Sequence, residues 1–267
     1  MIRIGVAGAA GKMGARISAL SMEYDGLQLA GAFERSGHDS IGRDVGTVAG
    51  IGETGVMLAD GITAVISQVD LVIDFTSIES TKENLRIAAK HGRAMVIGTT
   101  GFSKEDLKEM EPHLKAIPCV MASNMSLGVN LLLKVLRDVA RVLGDDYDIE
   151  IVEAHHRLKK DAPSGTALRM AQVLAEAVGR DLEEVGVYAR HGITGARTKK
   201  EIGIQTIRAG DIVGEHTVMF GGLGERIEIT HKASSRDTFA RGALKAALWL
   251  AGKPAGLYDM PDVLGLR

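Results

Sequence analysis

The sequence predicts an α/β protein in two parts, a doubly wound parallel sheet followed by an α+β domain with a mostly antiparallel or mixed sheet. The first 125 residues alternate short apolar runs with segments of helical period, the pattern of parallel strands wrapped by helices. Near the C-terminus, three strand-like runs follow one another with only short turns between them, which favours antiparallel neighbours. The 33 glycines and the 4% aromatic content also suit an α/β enzyme.

The first predicted domain covers residues 1–126. Its predicted strands are 2–8, 27–34, 69–75, 94–97 and 117–121, and its predicted helices are 12–22 and 76–92. We expect a capping box from Ser80 to Glu83 at the start of the second helix, and Gly92 at its end. The glycine-rich stretch 35–64 predicts no definite element.

The second predicted domain covers residues 127–236. Helices are expected at 127–143 and 166–179, and strands at 147–156, 202–208, 214–220 and 226–232. A last helix, 238–252, lies in a segment (237–267) that we expect to pack back on the first domain. The available helices cover one face of the second sheet, so a surplus apolar face would favour oligomerisation.

The strongest local motif is GAAGKMG, with Gly8, Gly11 and Gly14 between the first strand and the first helix. Side chains at these positions would keep a pyrophosphate away from the helix N-terminus, where free N–H groups favour anions. Glu34 ends the second strand, where a carboxylate accepts hydrogen bonds from an adenosine ribose. The combination predicts a Rossmann-like nucleotide-binding domain, and the alternative is a glycine turn that only packs a helix on a strand.

Arg35 bears on the choice of cofactor. The Glu34 carboxylate repels a 2′-phosphate, whereas the adjacent guanidinium attracts one, helped by Lys12 or Arg16. We therefore predict use of both NADH and NADPH.

The segment EAHHRLKKDAPSGTA, residues 153–167, concentrates polar chemistry at a strand-to-helix junction. His155 and His156 end a strand and face opposite ways, so they are not expected to ligate one metal ion, and no metal site is predicted. Cations follow at Arg157, Lys159 and Lys160, and Pro163 is expected in the first turn of the next helix. Such a helix start with hydroxyls and cations is a receptor for a carboxylate, and the histidines and a lysine could transfer protons.

Each of these residues alone is more often solvated or structural than functional. Their concentration in one junction, in a chain that also carries a dinucleotide fingerprint, favours function.

Lys plus Arg (32) nearly balance Asp plus Glu (34), so no overall field favours nucleic acid or a membrane. Cys119, the one cysteine, lies in an apolar run and is expected to be a buried thiol, which fits a cytoplasmic protein. No apolar run reaches the ~18 residues of a spanning helix.

Several blocks together resemble the 4-hydroxy-tetrahydrodipicolinate reductase family, also called dihydrodipicolinate reductase, of the diaminopimelate route to lysine. The blocks are VAGAAGKMG, VIDFT, VIGTTGF, EAHHRLKKDAPSGTA, RAGDIVGEHTVMF and ERIEITHKASSRDTFA. The resemblance implies nicotinamide-dependent reduction of a cyclic conjugated imine with two carboxylates, with loss of water. It also implies a homotetramer built around the sheets of the second domain.

Roles for individual residues follow from the same resemblance. His155 is implied as proton donor or acceptor and Lys159 as the second proton donor, while His156, Gly165 and Thr166 would hold a substrate carboxylate. The implied cofactor contacts are Gly8, Ala9, Ala10, Gly11, Lys12, Met13, Glu34, Arg35, Gly98, Thr99, Thr100, Ala122, Ser123, Asn124 and Met125. Many relatives carry an aromatic residue at the Met125 position, and some carry histidine at that of Ile193, to which we assign no role.

Two other functions remain open at this point. One is a different NAD(P)-dependent small-acid or amino-acid dehydrogenase with the same nucleotide domain. The other is a non-catalytic NAD(P)H-binding sensor in which the histidine block docks an anion or a partner.

Overall fold

The computed structural model describes every residue from Met1 to Arg267. The chain forms two compact units, one made of Met1–Leu127 with Asp237–Arg267 and the other of Gly128–Arg236. The first unit contains a seven-stranded parallel sheet with strands β1 (Ile2–Ala7), β2 (Leu27–Glu34), β3 (Leu58–Asp60), β4 (Leu71–Asp74), β5 (Ala94–Ile97), β6 (Pro118–Met121) and β12 (Gly256–Tyr258). The strands lie in the order β12-β6-β5-β4-β1-β2-β3.

Helices cover both faces of this sheet, as a doubly wound fold requires. They are α1 (Lys12–Ser21), α2 (Val45–Ala49), α3 (Ile78–Lys90), α4 (Lys104–Ala116), α8 (Asp237–Leu250) and α9 (Met260–Leu264). Ile17 of α1 and Leu244 of α8 pack in a core with Ile4 of β1. Leu85 of α3 and Met110 of α4 belong to a separate core on other side chains of the same sheet. The predicted Rossmann-like α/β fold is confirmed.

One local prediction in this unit is wrong, and one helix was not predicted. The N-cap of α3 is Ser77, whose side chain accepts from the Ser80 amide, so Ser80 lies inside the helix and does not begin a capping box with Glu83. The helix α4 was not expected, although Ser103 and Asp106 form a reciprocal capping box at its start. Its polar composition and internal Pro112 obscure the apolar period that identifies a helix.

The elements of the second unit are α5 (Leu127–Leu143, beginning at the boundary), β7 (Asp148–His155), α6 (Gly165–Ala177), α7 (Leu182–Val185), β8 (Gly186–Val187), β9 (Ile202–Arg208), β10 (Gly214–Gly221) and β11 (Arg226–Ala233). Its strands form a mixed five-stranded sheet of order β11-β10-β7-β9-β8. Leu136 of α5 and Met170 of α6 pack on one face of the sheet, against Ile151 and Val218.

The order of the second sheet corrects one expectation. We expected strands 202–208 and 214–220 to be antiparallel neighbours, but β7 lies between them, parallel to β9 and antiparallel to β10. Only β10 and β11 form the expected hairpin. The insertion of β7 brings the ends of β7 and β9 together, which matters for the site. None of the helices combines the length and the apolar character that a membrane span needs.

Candidate active site

The glycine loop after β1 is shaped by contacts that allow no side chain. Gly8 has φ of +61°, and a Cβ there would lie 2.8 Å from the Thr76 side chain. A Cβ at Gly14 would lie 2.1 Å from the Gly8 carbonyl oxygen. Gly11 is the N-cap of α1 and gives the helix no side-chain cap. The loop therefore exposes backbone at a helix N-terminus, and it fits a dinucleotide pyrophosphate.

Glu34 is attached to this loop. Its Oε1 accepts a hydrogen bond of 2.9 Å from the backbone N–H of Ala10, and the side chain is buried. The adjacent Arg35 is exposed. The structure thus places a carboxylate and a guanidinium near the glycine loop, where a dinucleotide site has its ribose contacts.

A cleft of about 1030 Å³ opens at this edge of the sheet, lined by Gly8, Ala10, Gly11, Glu34 and Arg35 among others. A neighbouring cleft of about 620 Å³ is lined by Met13, Gly98, Thr99 and Thr100 among others. Nine of the predicted cofactor residues therefore line clefts of the first unit. The other predicted residues, Ala9, Lys12, Ala122, Ser123, Asn124 and Met125, line neither cleft.

Met125 lies in the core of the first unit rather than on its surface. Its side chain is 1% exposed and packs among the residues around α8. A Cβ at Gly242 of α8 would lie 1.8 Å from the Met125 carbonyl oxygen, so the backbone there is also tightly enclosed. Direct stacking of the Met125 thioether on a nicotinamide would need this side chain to leave the core.

The loop after β5 is held by a buried carboxylate that the sequence did not single out. Asp74, at the end of β4, is fully buried. It accepts hydrogen bonds from the hydroxyls of Thr76 (2.6 Å) and Thr81 (3.0 Å) and from the amide of Asn84 (2.8 Å). Thr99 joins this network through Thr81 at 2.8 Å, which ties the predicted cofactor loop to α3.

In the second unit, His155 pairs with a buried glutamate of its own strand. Its Nδ1 lies 2.6 Å from Oε2 of Glu153, which has no solvent exposure. Both residues belong to β7 and are separated by two positions, so their side chains share one face of the sheet. The pair fixes which ring nitrogen of His155 faces the strand.

Arg208, at the end of β9, completes the arrangement around Glu153. Its guanidinium donates to both carboxylate oxygens, at 2.9 and 2.8 Å. Residue 208 is paired in register with His155 across the parallel strands β7 and β9. This bidentate geometry is the strongest form of a guanidinium–carboxylate contact.

Opposing effects act on the pKa values of these groups. Burial raises the pKa of Glu153, but hydrogen bonds from Arg208, His155 and the Ser164 amide more than offset it and lower it to about 2. Burial lowers the pKa of His155, although Glu153 acts in the opposite direction and the charge of Lys159 adds to the lowering. Burial also lowers the pKa of His216, to about 4. At neutral pH Glu153 is therefore ionised and His216 is neutral, and the lowered pKa of His155 favours its neutral form.

Lys159 lies in the loop after β7. Its Nζ is 2.9 Å from Oδ2 of Asp161, and the side chain is 21% exposed. His156 points elsewhere than His155: it is partly exposed, and its buried Nδ1 has no hydrogen-bond partner. The loop thus offers a cation and an imidazole to a ligand.

The start of α6 differs in one respect from the expectation. Ser164 is the N-cap, and Pro163 precedes the helix instead of entering its first turn. The Ser164 hydroxyl is buried, accepts from the Ala167 amide at 3.2 Å and lies 3.0 Å from Nε2 of His216. Gly165 is the first helical residue and is exposed, and Thr166 follows it, partly buried.

Sequence reasoning missed Glu153, Arg208 and His216. Glu153 carried a usable signal, because it lies two residues before His155 on a predicted strand and so had to share its face. Arg208 and His216 carried none, since their proximity depends on β7 lying between β9 and β10.

The glycine loop of the first unit and the buried His155–Glu153–Arg208 cluster of the second define a class: a nucleotide-binding oxidoreductase with a Rossmann-type unit and a second unit that carries ionisable groups. The family model for the N-terminus of dihydrodipicolinate reductase matches residues 2–125, and the model for its C-terminus matches residues 128–264. The chain belongs to the dihydrodipicolinate reductase family.

Individual relatives are similar to this chain over its full length. The 4-hydroxy-tetrahydrodipicolinate reductase of Syntrophobacter fumaroxidans is 59% identical over 267 residues, covering 100% of both chains. The enzyme of the same name from Syntrophus aciditrophicus is 54% identical over the same span, again covering 100% of both. The structure of dipicolinate-bound dihydrodipicolinate reductase from Paenisporosarcina sp. TG-14 has a TM-score of 0.74 and 25% identity, covering 97% of each chain.

Proposed function

We propose that this protein catalyses the NAD(P)H-dependent reduction of 4-hydroxy-tetrahydrodipicolinate to tetrahydrodipicolinate, a step of the diaminopimelate pathway to lysine. In this reaction the substrate loses one water, gains one hydride and takes up one proton. The observation that carries the proposal is the His155–Glu153 pair beside Lys159, in a chain whose full length aligns with reductases of that name.

The first unit has the residues to hold either cofactor. NADH or NADPH, when bound, supplies the hydride. The glycine loop from Gly8 to Met13 would hold the pyrophosphate, and Glu34 the adenosine ribose. Arg35 would attract the 2′-phosphate of NADPH, so we propose that both cofactors are used. The loops 98–100 and 122–125 are proposed to contact the remainder of the cofactor, with the Met125 contact made through backbone unless its side chain leaves the core.

The second unit has the residues to hold a small dicarboxylate. The Paenisporosarcina relative binds dipicolinate, a cyclic dicarboxylate. We propose that His156, Gly165 and Thr166 hold a substrate carboxylate at the N-terminus of α6, where backbone N–H groups and the helix dipole favour an anion. The exposed Gly165 lets the ligand approach the backbone, because no Cβ lies in its way.

Proton transfer is assigned to His155 and Lys159. A proton must reach the ring as hydride pushes electron density toward its nitrogen, and the Lys159 ammonium is the proposed donor. The lowered pKa of His155 favours the neutral ring, and because the ionised Glu153 can only accept a hydrogen bond, we place the ring proton on Nδ1, which leaves Nε2 to accept a proton and pass it on. Removal of water needs both a proton acceptor and a proton donor, and His155 and Lys159 together provide them.

We also propose a homotetramer assembled through the second sheet. The helices α5 and α6 cover the face that carries Ile151, whereas Val152 and Met219 lie on the opposite face and stay partly exposed. Light scattering should find four copies in the wild type and fewer in Met219→Glu. A cytoplasmic location stays a prediction, and we propose no nucleic-acid or membrane partner.

The proposed reaction can be tested with substrate generated in place from pyruvate and aspartate semialdehyde by the preceding enzyme. Oxidation of NADH and NADPH should require that generated substrate. Oxidation with amino acids or other small acids in its place would support a different dehydrogenase. Tight cofactor binding without oxidation in any mixture would support a sensor and overturn the proposal.

A further inference from the structure

We propose that Glu153 and Arg208 act together as a positioning pair, which orients the ring of His155 and holds the loop that carries Lys159. The inference rests on the proposed function, because it gives a purpose to the two proposed proton-transfer groups. Neither residue is proposed to touch the substrate.

The carboxylate of Glu153 is fully engaged by donors. Its Oε2 lies 2.6 Å from Nδ1 of His155 and accepts a hydrogen bond from Nη1 of Arg208 (2.9 Å). Its Oε1 accepts hydrogen bonds from Nη2 of Arg208 (2.8 Å), from the Ser164 amide (3.0 Å) and from the Thr206 hydroxyl (3.2 Å). Strands β7 and β9 and the N-cap of α6 are therefore joined at one buried anion.

An ionised carboxylate can only accept hydrogen bonds, so the proton of the neutral His155 ring must lie on Nδ1. The ring is then fixed with Nε2 as the atom that exchanges protons. Nε2 faces Gly214 at the start of β10, where a Cβ would lie 3.0 Å from it. The absence of a side chain at position 214 keeps that nitrogen uncrowded.

Arg208 connects this pair to the lysine loop. The guanidinium nitrogen that contacts Oε1 of Glu153 also donates to the carbonyl oxygen of Asp161, at 2.7 Å. The side chain of Asp161 in turn lies 2.9 Å from Nζ of Lys159. One guanidinium thus holds both the glutamate behind His155 and the backbone that places Lys159.

A purely structural role for this pair predicts different results from a positioning role. Buried ion pairs often add little stability, because desolvation offsets their attraction, whereas loss of one partner leaves an unpaired buried charge. A structural role would change the unfolding temperature alone. A positioning role would also change the tautomer of His155 and the pH dependence of turnover.

The variant Glu153→Gln separates these roles. Its amide oxygen should take the Oε1 position, where three donors converge, so its NH₂ group should face His155 Nδ1. That group donates, so the proton of the neutral ring should move to Nε2. We expect ¹⁵N NMR of ring-labelled protein to report an unprotonated Nε2 in the wild type and a protonated Nε2 in Glu153→Gln. The measurement needs no turnover.

Turnover provides the second measurement. The groups that face His155 are Glu153 on its own strand, Arg208 on β9, His216 on β10 and Lys159 in the loop, with His231 of β11 beside His216. Glu153 alone among them raises the pKa of His155. Loss of its charge should move the limb of the kcat–pH profile that belongs to His155 to lower pH. The kcat itself should fall about 100-fold, the lower end of what an acid–base group contributes, with KM less affected.

Glu150→Gln is the matched control, because Glu150 is a salt-bridged glutamate on the opposite face of the same strand. It should keep the wild-type tautomer and pH profile. If Glu153→Gln does not fold, Arg208→Lys provides the test: it keeps a cation but loses the two-pronged contact and the Asp161 bond, so kcat should fall while Nδ1 stays protonated.

The outcomes distinguish this inference from the proposed function. A folded Glu153→Gln with Nε2 unprotonated and kcat within about twofold of wild type would overturn the positioning pair, and so would Arg208→Lys with unchanged kcat. A wild type that fails to reduce the generated substrate but shows the expected change of tautomer would instead overturn the proposed function and leave the orientation of His155 by Glu153 intact.

Discussion

Nδ1 of His155 lies 2.6 Å from Oε2 of Glu153, a carboxylate with no solvent exposure that Arg208 also contacts through both terminal guanidinium nitrogens. The contact follows from β-strand geometry, since residues two apart on β7 share a face of the sheet. It makes the proposed proton carrier part of the sheet's hydrogen-bonded framework rather than a free side chain at a strand end.

The histidine next to this pair should make folding sensitive to acid. Burial lowers the pKa of His216 from 6.5 to about 4. Below pH 6.5 the unfolded chain binds a proton that the folded chain does not, so stability falls as the pH drops from 6.5 to 4, by about 1.4 kcal/mol per pH unit from this group. Urea unfolding at pH 7 and pH 4.5 should show a smaller loss in His216→Gln than in the wild type.

The exposed His191 offers the control for that measurement. His191→Gln should lose as much stability between the two pH values as the wild type does. An equal loss in His216→Gln would show that another group causes the acid sensitivity.

The choice of cofactor should depend on Arg35. Removal of its guanidinium takes away a charged donor to the 2′-phosphate, a contact worth about 1.5–3 kcal/mol. Arg35→Ala should therefore weaken NADPH binding about 10-fold or more and change NADH binding less than twofold, by fluorescence titration of both cofactors. Arg43→Ala, another exposed arginine of the same unit, is the control. Unchanged NADPH affinity would remove Arg35 from the account.

Gly165 should be needed for substrate and not for folding. A Cβ at this position meets nothing within 4 Å, and the residue begins a 13-residue helix. Gly165→Ala should keep or slightly raise the unfolding temperature, because alanine favours helix. Its methyl group should raise the substrate KM about 10-fold by obstructing approach to the helix N-terminus. An unchanged KM would mean that the carboxylate binds elsewhere.

Most of the fold could be predicted because short stretches of sequence determine its helices and strands. The glycines of the first loop and the apolar runs of β1, β2, β4 and β5 need no knowledge of distant residues. The helix α4 could not be recognised, since its 13 residues bury only Met110 and Leu114. The order of the second sheet could not be predicted either, because short turns suggest neighbours and give no sign that β7 inserts between β9 and β10.

The residues of the candidate site likewise fall into those that the sequence could predict and those that it could not. His155 and Lys159 could be singled out because both lie in the short segment 153–167, where imidazole, cationic and hydroxyl side chains are concentrated. Arg208 lies 55 residues from Glu153 in sequence, and only the parallel pairing of β7 and β9 brings them together. The capping role of Ser164 was also missed, because a serine before a glycine suits either a ligand contact or an N-cap.

The central claim, that His155 and Lys159 transfer protons during reduction of the generated substrate, is tested most directly by kcat in four variants. His155→Ala and Lys159→Ala are compared with His191→Ala and Lys199→Ala, which alter exposed residues of the same types in the same unit. We predict that kcat falls about 100-fold or more in the first two variants and stays within about twofold of wild type in the controls. Near-normal kcat in both His155→Ala and Lys159→Ala would contradict the account.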